Sequence, residues 1–147
     1  MINETQFSEI VLSNKTKIKY NKGFFGSPMK KFINNIYNNL DIPKETLTIS
    51  MFYLYKFYKL NKQNFKMMDN FFSKINLFIF SSIIIAIKQL YDENINIKDV
   101  SSLFNLNYKE VLTIELIILE GLNWKTHVDC QEYLEFKNLR ENYSCLM

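Results

Sequence analysis

The chain has 147 residues, of which 48% are hydrophobic and 16% aromatic; it carries three glycines, two prolines and a net charge of +3. That length suits one domain with a sizeable core, and the apolar content excludes a disordered chain. So few glycines and prolines leave little turn material for an all-β fold, and lysines interleaved with acids make no basic stripe of the kind nucleic acid requires. An all-α domain is expected.

In chain order, residues 1–27 read as an N-terminal arm or short helix, with a weak helical pattern near Glu4–Leu12. The start, MINETQFSEI, is too polar for a signal peptide. Lys15, Lys17, Lys19 and Lys22, like Lys30 and Lys31, form short basic clusters that read as a solvated face. Gly23 and Gly26 bracket Phe24 and Phe25, a pair able to tuck the arm onto the domain. Ser27 is a candidate cap with Pro28 in the first helical position, and Phe32, Ile33, Ile36, Tyr37 and Leu40 recur at helical spacing. A second helix, with Pro43 near its start, runs to about Leu60 and buries Leu47, Met51, Leu54, Phe57 and Tyr58. The stretch NKQNFKMMDNFFSK, 61–74, reads as a connection packed down by Phe65, Phe71 and Phe72. The third helix, about Ile75–Tyr91, is apolar on nearly every side, so other helices must surround it. A short fourth covers about Ile97–Phe104, a fifth about Tyr108–Leu122, and a last one about Val128–Arg140.

Several chemistries find no support. The longest apolar stretch, Leu77–Ile87, contains Ser81 and Ser82 and falls short of the roughly 20 residues of a membrane span. Cys130 and Cys145 make neither a disulfide framework nor a zinc spacing, which suits a reduced intracellular chain. His127 is the sole histidine, with no serine or cysteine arranged as a nucleophile beside it. No glycine-rich phosphate loop or paired-carboxylate constellation appears. No catalytic residue, metal or cofactor is expected.

Two charges are out of place. Lys88 sits near the end of the apolar third helix, in SSIIIAIKQLYDE. On the fifth helix Val111, Ile114, Ile118, Leu119 and Leu122 share a face, and Glu115 falls in its middle, while Lys109 and Glu120 lie well round the helix. Leu116 and Ile117 blur the polar side, so the stripe is broad. Three readings stand open. Lys88 can snorkel at its helix end or pair with Asp92 at i+4; Glu115 can be a rim residue; or the two can form one site. Trp124 reads as a core plug more readily than as a recognition residue, and Met67 and Met68 as loop packing.

The run from Phe32 to about Phe136 resembles the cyclin box, the five-helix module of the cyclin family. The motifs are IPKETLTISMFYLYKF, INLFIFSSIIIAIKQLYDE, and YKEVLTIELIILEGLNWKTHVDCQEYLEF for the fifth helix and its exit. The exit, Trp124 to Val128, is similar to that of the short P/U-type cyclins linked to phosphate-signalling kinases. The resemblance implies a five-helix bundle around the third helix, with the box at 28–127, a helical extension at 128–147 and no second box. There are departures. The family's Asp-Arg on the second helix is replaced by Tyr55-Lys56-Phe57, its Gly-Gly before the fifth aligns with Phe104-Asn105, and the usual hydrophobe after the third-helix lysine is Gln89.

The resemblance also implies a role. In cyclins a lysine late in the third helix and a glutamate in the fifth bind the kinase; they match Lys88 and Glu115, and neighbouring contacts carry over to Ile85, Leu119 and Trp124. The implied protein is a non-enzymatic regulatory subunit of a cyclin-dependent-type Ser/Thr kinase, monomeric when free, in cytoplasm or nucleus, with neither membrane nor nucleic acid as partner. The alternative is a cyclin-fold scaffold or transcription-factor-like module that binds protein or DNA without activating a kinase.

Overall fold

The computed structural model describes residues 35–36, 38–40, 42–91 and 95–146, with side chains as far as Leu139. The expected arm, the Ser27–Pro28 helix start, Phe32, Ile33, Tyr37, Asp92 and the Cys145 side chain lie outside the described residues. Helical residues at 35–36 and 38–40 lead into α1 (Lys44–Asn61), α2 (Phe65–Ser73), α3 (Ile75–Tyr91), α4 (Ile97–Leu103), α5 (Tyr108–Gly121) and α6 (Cys130–Leu146). Among the described residues there is no strand, so the fold is all-α as expected.

The apolar third helix becomes the hub. Every residue of α3 from Leu77 to Ala86 is buried, with α1 packed on one side and α5 on the other. Each large side chain withdrawn from water there contributes about 1.5–3 kcal/mol. Full burial also requires the serine hydroxyls to be satisfied. Ser82 Oγ donates to Ile79 O at 2.7 Å within the helix, and Ser81 Oγ donates across to Val111 O of α5 at 3.2 Å. The second bond ties the two helices that carry the candidate charges.

The stretch 61–74 is the one element whose type differs from expectation. It is not a connection: α2 is a full helix, set at 89° to α3. Asn64 starts it by accepting a hydrogen bond from the Met67 N–H at 3.1 Å, and Met68 and Phe71 then fall on one buried side. The rings of Phe57, Phe71 and Phe78 meet with centroids 4.9–5.5 Å apart, which locks α1, α2 and α3 together.

Asparagine does much of the punctuation. Asn96 Oδ1 caps α4 through Asp99 N–H at 3.1 Å, and Asn107 Oδ1 caps α5 through Lys109 N–H at 2.9 Å. Asn105 ends α4 at φ 57°, and Asn123 follows α5 at φ 55°. Both ends are Schellman turns. Leu106 N–H donates back to Ser101 O at 3.0 Å, and Trp124 N–H to Leu119 O at 2.8 Å. The family's Gly-Gly is therefore not needed. Asn105 adopts the left-handed backbone while Phe104 plugs the core against Phe80, centroids 5.5 Å apart.

α5 closes against α1 at Gly121. A Cβ there would overlap the Phe57 ring, so only glycine allows the approach. Asn61 Nδ2 then reaches Gly121 O at 3.1 Å, and Tyr53 OH donates to Thr126 O at 2.6 Å, pinning the exit segment. Beyond it, α6 runs past the expected Arg140 and docks on α1 through Phe136, whose ring lies 5.7 Å from Phe52 and 5.5 Å from Tyr55. An ion pair from Lys56 to Glu132 at 3.2 Å supports that contact.

Candidate functional site

The site lies where α3 emerges from the core beside α5. Ile85 and Ala86 are buried, Ile87 is half-buried, and Lys88 to Tyr91 are exposed. Thr46 Oγ1 and Tyr91 OH, 3.1 Å apart, hold this last turn of α3 to the first turn of α1. On α5, Val111, Ile114 and Ile118 fill the seam with α3, and Glu115 lies among them, itself buried. Lys88 Nζ donates to Glu115 Oε1 at 2.8 Å, with the side chains 39% and 11% exposed respectively.

That contact brings together the two charges that the sequence singled out. Glu115 is not a rim residue, and the Lys88 ammonium meets an acid from another helix. The carboxylate is nearly withdrawn from water, which is costly without a partner, and Lys88 supplies the partner from the solvent side. The pair is incompletely used. An ammonium has three donors and a carboxylate two oxygens, yet Glu115 Oε2 makes no hydrogen bond among the described residues. A donor and an acceptor thus stand together at the edge of an apolar seam.

The other expected contacts are spread unevenly. Ile85 is 3% exposed and supports the pair from within the core, presenting almost no surface. Leu119 is half-buried, one turn beyond Glu115. Trp124 does not plug the core; it is 59% exposed, with φ at 61°. His127 and Cys130 are exposed, and no group of acids, histidines and cysteines suited to a metal ion occurs among the described residues.

Two residues escaped the sequence reading. Leu112 and Leu116 are exposed on the flank of α5 beside Glu115. The wheel showed Leu116 only as an imperfection of the polar side. The signal was present, since the core-facing positions were already filled by Val111, Ile114, Ile118 and Leu122.

The family model for the cyclin N-terminal domain matches residues 11–127, well over half of the chain. This chain belongs to the cyclin family. The match begins before the expected box start at residue 28 and takes in α1 to α5 with the exit turn. It includes Lys88, Glu115 and Trp124. No curated protein and no solved structure matches. Membership supports a cyclin-type regulatory role, and among the described residues no single helix is long and apolar enough to cross a membrane.

Proposed function

We propose that this cyclin binds a cyclin-dependent-type Ser/Thr protein kinase and activates it by fixing the kinase's C helix in its inward position. The observation that carries the reading is the Lys88–Glu115 pair, closed at 2.8 Å at the edge of the α3–α5 seam, with no further protein hydrogen bond to either charge among the described residues. A protein kinase is active only when a strand lysine pairs with a C-helix glutamate, and the position of that helix controls the pairing. A rigid partner that binds only the inward helix shifts the population to the active state by its differential affinity. Lys88 and Glu115 hydrogen-bond groups around that helix, while Leu119 and Trp124 supply apolar contact and Ile85 backs them from the core.

The exit from Trp124 to Val128 supports a place among the P/U-type cyclins. The proposed layout is an arm at 1–27, a cyclin box at 28–127 and a C-terminal helical extension carried by α6. This cyclin does no chemistry itself.

The test is reconstitution. Kinases recovered with the tagged chain from its native cell are purified and assayed with and without it. A cyclin-dependent-type kinase whose activity rises on addition of the chain is the expected result. Recovery of no kinase would overturn the reading, and a kinase bound without gain of activity would make the chain a scaffold.

A further inference from the structure

The last turn of α3 carries Lys88 out of the core, and burial does little to hold it there. Gln89, Leu90 and Tyr91 are exposed along with Lys88. The final carbonyls of a helix have no partner within it, so such a turn frays. Among the described residues two side-chain hydrogen bonds restrain it, and they run to different helices. Lys88 Nζ reaches Glu115 Oε1 of α5 at 2.8 Å, and Tyr91 OH lies 3.1 Å from Thr46 Oγ1 of α1.

The threonine end of the second bond is fixed. Thr46 is 0% exposed in the first turn of α1, and Tyr91 OH is the one hydrogen-bond partner of its hydroxyl among the described residues. Thr48, Ser50, Ser82, Ser102 and Thr113 instead turn their hydroxyls back onto carbonyls of their own helices. A buried hydroxyl is costly to leave unpaired, so Thr46 draws the tyrosine in. Glu115 is likewise fixed, by its burial in the seam. The variable member of the charge pair is Lys88, a long side chain with many rotamers whose backbone is held only as well as its turn.

We propose that Thr46 and Tyr91 are positioning residues: their hydroxyl contact fixes the last turn of α3 so that Lys88 closes on Glu115 before any partner arrives. The inference rests on the kinase reading and deepens it, since the kinase then meets a charge pair already assembled. Neither hydroxyl needs to touch the kinase. Ordering the turn in advance removes that entropic cost from the binding step. Without the contact the turn opens locally, Lys88 spends more time in solvent, and each binding event must first order it again. A helix that supplies none of the proposed kinase contacts, α1, thus controls one of them.

In the whole chain, Thr46→Val paired with Tyr91→Phe removes both hydroxyls and leaves no buried one without a partner. Thr46→Ser keeps the hydroxyl and is the conservative control. Three quantities are measured: melting temperature, the rate of reductive methylation of the Lys88 amine mapped by mass spectrometry, and affinity for the co-purifying kinase. The paired variant is expected to melt within about 5 °C of wild type, to methylate Lys88 at least about 3-fold faster, and to bind about 5-fold more weakly. Thr46→Ser is expected to match the wild type in all three. In a Lys88→Ala chain, removing the two hydroxyls should change affinity by less than about 2-fold, because nothing is left to position. Unchanged methylation of Lys88 or unchanged affinity in the paired variant overturns the inference. So does an affinity loss that persists in full without Lys88, which would make Tyr91 a direct contact. A larger drop in melting temperature, or a serine control that behaves like the paired variant, also overturns it. If Lys88→Ala itself binds as well as the wild type, the kinase reading falls, and the methylation rate alone judges the positioning role.

Discussion

Gly121→Ala should destabilise the domain, although alanine is the better helix former. Gly121 is the last residue of α5, where the helix meets α1, and the added Cβ would sit inside the Phe57 ring. That ring has nowhere to go. Phe57 is 0% exposed and packed against Phe71 at 5.4 Å and Phe78 at 5.5 Å. Forcing extra volume into such a core costs about 1–3 kcal/mol. Separation of the helices also strains the Asn61–Gly121 hydrogen bond, worth about 1 kcal/mol. Against this, alanine gains at most about 1 kcal/mol of helix propensity, and less at a helix end. The net loss is about 2 kcal/mol, or about 4–8 °C in melting temperature for a chain of this size. Thermal unfolding followed by circular dichroism reads it directly, and Phe57→Leu in the alanine background should restore part of the loss. An unchanged or raised melting temperature would mean that α5 does not approach α1 this closely. The turn presenting Trp124 would then lose its footing.

Two further outcomes follow from the fold. Asn105 sits at φ 57°, so Asn105→Gly should stay within about 0.5 kcal/mol of wild type while Asn105→Val loses about 1–2 kcal/mol, measured by urea denaturation. Burial raises the Tyr53 phenol from its ordinary 10.0 to about 12, because the charged form would be withdrawn from water. The folded state therefore holds that proton more tightly than the unfolded one. Stability from this group is complete below pH 10 and lost as pH rises toward 12, so Tyr53→Phe should flatten the alkaline limb of the stability–pH curve.

The long helices were legible because their apolar periodicity is strong. α3 runs over the stretch expected, and α1, α4 and α5 differ from expectation by about a residue at their ends. α2 was missed because its cap is an asparagine inside a polar run, and its buried side rests on Met68 and Phe71 alone. In the structure asparagine starts helices at Asn64, Asn96 and Asn107 and stops them at Asn105 and Asn123. With three glycines in the chain, the left-handed turns needed another residue that tolerates them.

The site was legible in part for a related reason. A charge on an apolar face is visible in one dimension, so Lys88 and Glu115 stood out; that they meet each other depends on how α3 crosses α5. The crossing is set by core packing and by the Ser81–Val111 bond, neither of which has a local signature. Exposed leucines are harder still. On a helical wheel Leu116 merely blurs the polar side, and the burial of Val111, Ile114, Ile118 and Leu122 shows that Leu112 and Leu116 face outward.

The central claim is that the Lys88–Glu115 pair serves a partner, and one comparison tests it most directly. The affinity of the co-purifying kinase is measured for the wild-type chain, Lys88→Ala and Glu115→Ala, each corrected for its folded fraction. The account predicts that both variants stay folded and bind at least about 30-fold more weakly, the loss expected when one member of a hydrogen-bonded interfacial charge pair is truncated. Variants that melt the free domain while binding as well per folded molecule as the wild type would show the pair to be structural, and would contradict the account.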